Sequence, residues 1–146
     1  MTHPESKAPP AALINSASRA LTRLNDRKLK PLGLTYGQMP VLVALGTGNA
    51  LSQKELARLA RIEQPSMAQL LSRMERDGLV TRTPDPVDGR VSLISLTGQA
   101  KAKLTLARAA LEDTNGQALA GFGGQEVEVL RNLLARFLAN LETGRE

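Results

Sequence analysis

Cysteine and tryptophan are absent from the 146-residue chain, which has one histidine, one tyrosine and two phenylalanines. Without cysteine there are no disulfides, iron–sulfur clusters, thiolate zinc sites or thiol-based oxidant sensors. The single histidine, His3, falls in the polar opening stretch MTHPESKAPP, a poor place for a catalytic triad or a histidine metal site. Tyr36, Phe122 and Phe137 are too few to build the aromatic platforms that stack single-stranded nucleic acid. Long apolar runs are missing as well. The longest, Met39–Leu45, has seven residues and contains a proline, far short of the ~20 a membrane span needs. The first dozen residues lack a signal-peptide pattern, so the expectation is a cytoplasmic protein with no membrane partner, no cofactor and no enzymatic activity.

Charge of one sign is in modest excess, with 19 Lys/Arg against 14 Asp/Glu. Residues 1–51 carry six basic and two acidic groups, residues 52–90 seven and six, and residues 91–146 six and six. Bulk charge therefore does not argue for a nucleic-acid partner; only the placement of individual side chains does.

Residues 11–30 read as a helix, with Leu13, Ala17, Ala20 and Leu24 on one stripe and Pro31 and Gly33 closing it. Thr35 and Gln38 have capping-box spacing, with Leu34 and Met39 placed as a hydrophobic staple for a second helix through Leu45. Gly46-Thr47-Gly48-Asn49 stops that helix; following a helix rather than a strand, it is no nucleotide loop. Ser52 with Glu55, and Leu51 with Leu56, repeat the same grammar for a third helix ending near Ala60. A four-residue connection, residues 61–64, leads to Pro65 as first residue of a fourth helix that Gly78 terminates. Met67, Leu70, Leu71 and Met74 form its buried stripe. Two short capped helices with a tight turn make a helix-turn-helix.

Two β-branched runs, residues 80–83 and 91–96, flank the turn-rich Pro84-Asp85-Pro86-Val87-Asp88-Gly89 and predict a β-hairpin with a six-residue loop. Thr97 caps a fifth helix to about Ala120. A sixth carries Val127, Leu130, Leu134, Phe137 and Leu141 at 3, 4, 3, 4 spacing. The expected fold class is all-α with a small β-hairpin wing. A winged helix-turn-helix over residues 34–97 is flanked by dimerisation helices over 11–33 and 98–144, behind a flexible tail of residues 1–10, in one structural domain overall.

With its stripe buried, the fourth helix turns Pro65, Ser66, Gln69, Ser72, Arg73 and Arg76 outward. In a major groove Gln69 suits adenine, Ser66 a base or phosphate, and Arg73 or Arg76 a phosphate or guanine. Alone, such a face is an ordinary solvated helix surface; the hairpin behind it gives it a role. Arg90 on a protruding turn suits the enhanced negative potential of a narrow minor groove, and Asp88 is placed to orient its guanidinium. The bland alternative is an incidental surface ion pair.

These stretches together resemble the MarR family of transcription regulators: Ile62-Glu63-Gln64-Pro65-Ser66-Met67, the run from Leu70 through Val80, Asp85-Pro86-Val87-Asp88-Gly89-Arg90, and Leu96-Thr97. Glu63-Gln64-Pro65-Ser66 resembles the SlyA-type branch. The resemblance implies a homodimer, intertwined through its terminal helices, that binds a palindromic operator in double-stranded DNA. Pro65, Ser66, Gln69 and Arg73 would lie on its recognition helix, and Asp88 and Arg90 on its wing. Gln69 stands where SlyA-type proteins commonly have a basic residue, which shifts the expected operator preference. Gly89 replaces a bulkier or charged residue, which loosens the expected wing tip.

Apolar stripes on the first and last helices exceed what so small a lobe covers, which independently favours a homodimer over helices folding back on one chain. Half-sites are then expected about one helical turn, ~34–36 Å, apart. The resemblance also implies release by a small aromatic carboxylate or phenolic ligand in a crevice beside the dimerisation helices. Candidate ligand residues are Arg19 and Arg23, in a row with Arg27 on the first helix, and Tyr36; the bland reading of that row is a solvated basic stripe. The expected function is a sequence-specific repressor. Its rival is a winged-helix protein-interaction module that does not bind DNA, a reading favoured by the near-balanced charge of residues 52–90.

Overall fold

A computed structural model describes residues 7–143; His3 and most of the expected tail lie outside them. Six helices and three short strands follow in the order α1 (Pro10–Leu29), α2 (Met39–Leu45), β1 (Leu51–Ser52), α3 (Gln53–Ala60), α4 (Gln64–Arg76), β2 (Val80–Pro84), β3 (Ser92–Leu96), α5 (Gly98–Ala118) and α6 (Gly124–Thr143). The chain divides into two compact units, Met1–Glu112 and Asp113–Glu146.

Local chemistry sets the boundaries in the first unit. α1 ends in a 3-10 turn, Lys30–Leu32, and Gly33 takes the left-handed conformation (φ 71°) that a side chain would resist. The Thr35 N–H donates to Gln38 Oε1 at 3.0 Å in the expected capping box, which opens with a 3-10 turn, Tyr36–Gln38, before α2 begins. The Ser52 box is also present, with Glu55 N–H donating to Ser52 Oγ at 3.2 Å. Helix α4 starts one residue earlier than expected, because Glu63 rather than Gln64 is the extended N-cap residue. The helix-turn-helix connection is thereby three residues, Arg61, Ile62 and Glu63.

One core holds the lobe together. Leu29, Leu34, Met39, Leu42, Leu45, Leu56, Met67, Leu71, Met74, Leu79, Val80, Ile94 and Leu104 are all buried within it. Each fully buried Leu or Met side chain contributes about 1.5–3 kcal/mol. The α4 stripe is as expected: Met67, Leu71 and Met74 are inaccessible, with Leu70 half-buried beside them.

The hairpin expectation is corrected in extent. The sheet has three antiparallel strands in the order β1-β3-β2, with Leu51 opposite Ile94 and Val80 opposite Leu96. Leu51 and Ser52, read only as staple and cap, also pair with Ile94 and Leu93. A two-residue strand has too little alternation to register as a sequence pattern. Pro84 pairs with Ser92 on the outer strand β2, where its missing N–H is tolerated. The loop between the long strands consequently runs over residues 85–91.

In the second unit, Gly121 (φ 84°) turns the chain and the Gly123 N–H donates to Glu126 Oε1 at 2.9 Å, opening α6. Leu130, Leu133, Leu134, Leu138 and Leu141 on α6 are all exposed, and no residue of this helix is buried.

Candidate nucleic-acid interface

The expected recognition face is solvent-facing along α4. Pro65, Ser66, Gln69, Ser72, Arg73 and Arg76 are exposed, and Ala68, Gln69, Ser72 and Arg73 line a hollow of about 410 Å³. Pro65 is in the first turn, where a missing donor costs nothing, and Ser66 follows it. Arg76 sits at the opposite end, its Nε 3.2 Å from Oδ1 of the C-capping Asp77. Beyond Pro65 the face thus begins with uncharged hydrogen-bonding side chains, Ser66, Gln69 and Ser72, and cations gather toward its C-terminal end. That division suits base edges and phosphates respectively.

The wing brings its two expected residues together. Asp88 Oδ1 accepts from the Arg90 backbone N–H and from Arg90 Nε, both at 3.1 Å, and Oδ2 lies 3.4 Å from a terminal guanidinium nitrogen. These bonds from Arg90, the side chain's above all, hold the Asp88 carboxyl below the usual carboxylate range. The Arg90 side chain is 91% exposed, so it is oriented without being covered.

Two fastenings tie recognition helix to wing and scaffold. Arg82 Nε on β2 lies 3.6 Å from Glu75 Oε2 on α4. The Thr97 hydroxyl donates to the Gly78 carbonyl at 2.7 Å and accepts from the Ala100 N–H at 3.1 Å. It therefore caps α5 while holding the end of the α4 turn.

A separate cavity of about 840 Å³ is lined mostly by apolar side chains, among them Met39, Val43, Leu51, Leu59 and Leu111, with Tyr36, Thr47, Asn49 and Arg61 as its polar members. The Tyr36 backbone N–H is fixed by Asp26 Oδ1 at 2.7 Å. Arg61, whose φ of 55° is the one left-handed non-glycine among the described residues, is the only cation of the lining. Arg19 and Arg23 do not line it; both are exposed on α1, with an Arg19 guanidinium nitrogen 3.3 Å from Ser16 Oγ.

A model of the MarR family matches residues 32–91, the segment from the turn after α1 to the end of the wing loop, short of β3. A solved Pseudomonas aeruginosa structure titled "probable transcriptional regulator" is 34% identical, covers 89% of this chain and 97% of its own, and superposes with a TM-score of 0.82. The chain belongs to the MarR family. Similarity extends to the uncharacterized HTH-type transcriptional regulator YybA of Bacillus subtilis, 28% identical over 88% of this chain and 86% of that one. The PcaV transcriptional regulator of Streptomyces coelicolor, solved in complex with its natural ligand, is 25% identical. It covers 95% of this chain and 98% of its own, with a TM-score of 0.83. As a MarR-family protein this is a DNA-binding transcription regulator and not an enzyme.

Sequence reasoning passed over two features of this MarR-family lobe. Gln53 Nε2 lies 3.5 Å from the Gln64 carbonyl, which brings the starts of α3 and α4 side by side, with the exposed Lys54 next to Gln53. A lysine two residues after a helix cap was the available signal. Arg61 as a cavity residue had no signal, since only the fold brings that turn beside Tyr36. Among the described residues no helix is long and apolar enough to cross a membrane.

Proposed function

We propose that this regulator is a repressor that occupies a palindromic promoter site as a homodimer in the cytoplasm and is released by a small aromatic or phenolic ligand. The observation that carries the reading is the pairing of an exposed polar α4 face with a wing arginine held ready by Asp88. Gln69, with Pro65, Ser66 and Ser72, faces the major groove; Arg73 and Arg76 take phosphates or a guanine; Arg90 enters the minor groove. Residues 34–97 act as the DNA-binding lobe, and residues 11–33 and 98–144 as the dimerisation region. Supporting the dimer, α6 exposes five leucines that a partner chain would cover.

The cavity supports the ligand. About 840 Å³ is the volume class of small-molecule sites, and an apolar lining with a few polar groups suits an aromatic body with one acidic or phenolic substituent. Tyr36 and Arg61 are its natural polar contacts, and PcaV, of the same fold, was crystallised with its natural ligand. We assign Arg19 and Arg23 to the solvated basic face.

The test is fluorescence anisotropy with DNA upstream of the protein's own gene, against a scrambled duplex, across a salt series. Preference of about 10³-fold or more supports specific readout. Equal, steeply salt-dependent binding to both would reduce the surface to a general electrostatic one. Absence of binding at low salt would favour the protein-interaction reading. Calorimetry with aromatic carboxylates, followed by loss of operator affinity, tests release.

A further inference from the structure

The wing carries a second element besides its arginine. Val87 is 95% exposed, more than any other large hydrophobic side chain among the described residues. It is not slack chain. The Val87 N–H donates to Asp85 Oδ1 at 2.9 Å, just as the Arg90 N–H donates to Asp88 Oδ1 at 3.1 Å. The loop is closed at its base by the Asp85 N–H to the Val91 carbonyl at 2.8 Å, and again by the Val91 N–H to the Asp88 carbonyl at 3.0 Å. Two aspartates thus fasten two residues, each two positions further on: one a cation, the other a β-branched apolar group with a stiff χ1. Fixing an apolar side chain in water gains nothing within the monomer. It lowers the ordering cost of a contact made elsewhere.

We propose that Val87 is a specificity-determining residue of the wing, seated against the deoxyribose wall of the operator's minor groove beside the strand segment that Arg90 enters. The inference rests on the DNA-binding mode proposed above and names what it adds. Arg90 supplies attraction, which is strongest where the groove is narrow. A valine that must touch sugar C–H groups is sensitive to groove width in a second way, because an apolar contact is lost outright when the wall recedes. The exposed guanidinium commits the occupant: Asp88 engages Nε and one terminal nitrogen of Arg90, and the remaining N–H donors face solvent, where DNA supplies acceptor oxygens that an apolar protein surface does not.

The protein and its Val87→Thr, Val87→Ser and Val87→Ile variants are compared on the footprinted operator, with Arg90→Ala alongside. Val87 packs against nothing, so these variants are expected to fold with unchanged unfolding midpoints. Threonine keeps the shape and loses a methyl group. It and serine are expected to weaken operator binding about three- to tenfold per wing, the order for withdrawing one or two methyl groups from contact. The slope of log K against log salt should stay unchanged, whereas Arg90→Ala should make it shallower. Isoleucine should retain affinity. Hydroxyl-radical cleavage, which reports on minor-groove sugars, should rise at the wing position in the serine variant, while major-groove guanine N7 protection persists. Wild-type affinity and an unaltered sugar footprint in the serine variant would overturn the proposal and leave the DNA-binding mode intact. A change in the protein's own association, measured by sedimentation without DNA, would overturn it in favour of a protein contact. Wild-type protein that prefers no duplex would overturn the binding mode itself, before any variant is considered.

Discussion

Asp88 acts entirely through its neighbour. Its carboxylate orients Arg90 by side chain and backbone, and that pairing lowers its own pKa. A depressed carboxyl contributes order that is complete above the usual carboxylate range and is lost as pH falls through the lowered value. Wing-dependent operator affinity is therefore expected to be flat from neutral pH to about pH 5, a range that anisotropy covers directly. Asp88→Asn keeps the shape and one acceptor but removes the charge. It should weaken specific binding about two- to tenfold, the cost of ordering a freed arginine. Affinity for scrambled DNA should hold or rise, since an anion has been removed. Thr97 is the other residue whose effect is transmitted. Thr97→Val loses the α5 cap and leaves the Gly78 carbonyl without its 2.7 Å donor, so denaturation should show a loss of about 1–2 kcal/mol, with Thr97→Ser largely restoring it.

Elements meet closely where side chains are small. α2 ends against α5 at Gly46, where an added Cβ would lie 2.6 Å from Leu104 Cδ2 and 3.1 Å from the Leu42 carbonyl oxygen. Leu104 is buried and the carbonyl is backbone, so neither moves aside freely. Gly46→Ala is expected to cost about 1–3 kcal/mol through overpacking, read as a lowered urea midpoint with an unchanged m-value. Truncating the recognition helix's buried stripe acts oppositely, by leaving a void: Met74→Ala should cost about 2–5 kcal/mol. Both changes leave the α4 face chemically intact. Operator affinity measured well below the unfolding midpoint should therefore change less than stability does.

At the scale of the whole molecule, the last helix is the part a single chain leaves unfinished. Leu133 and Leu141 are 53% and 61% exposed, although the spacing that includes Leu141 is that of a buried stripe. Leu133→Asp is expected to shift sedimentation toward monomer and to abolish tight operator binding. On the dimeric reading proposed above, each recognition helix then loses the affinity its partner's helix adds.

Helix starts and stops were legible in the sequence because capping is local chemistry. Thr35 with Gln38, Ser52 with Glu55 and Gly78 act over a few residues, so their signals sit in contiguous text. The outward face of α4 was legible too, since Met67, Leu71 and Met74 fix the opposite side by period alone. The Asp88–Arg90 pair needed only a two-residue spacing. What required the tertiary structure joins segments far apart in the chain. Pairing of Leu51 with Ile94 made the third strand, and the Thr97 bond to Gly78 tied helix to wing. The cavity drew Tyr36, Arg61 and Leu111 to one wall. Such contacts are set by how helices pack once their buried stripes have met, and neither periodicity nor spacing carries that information.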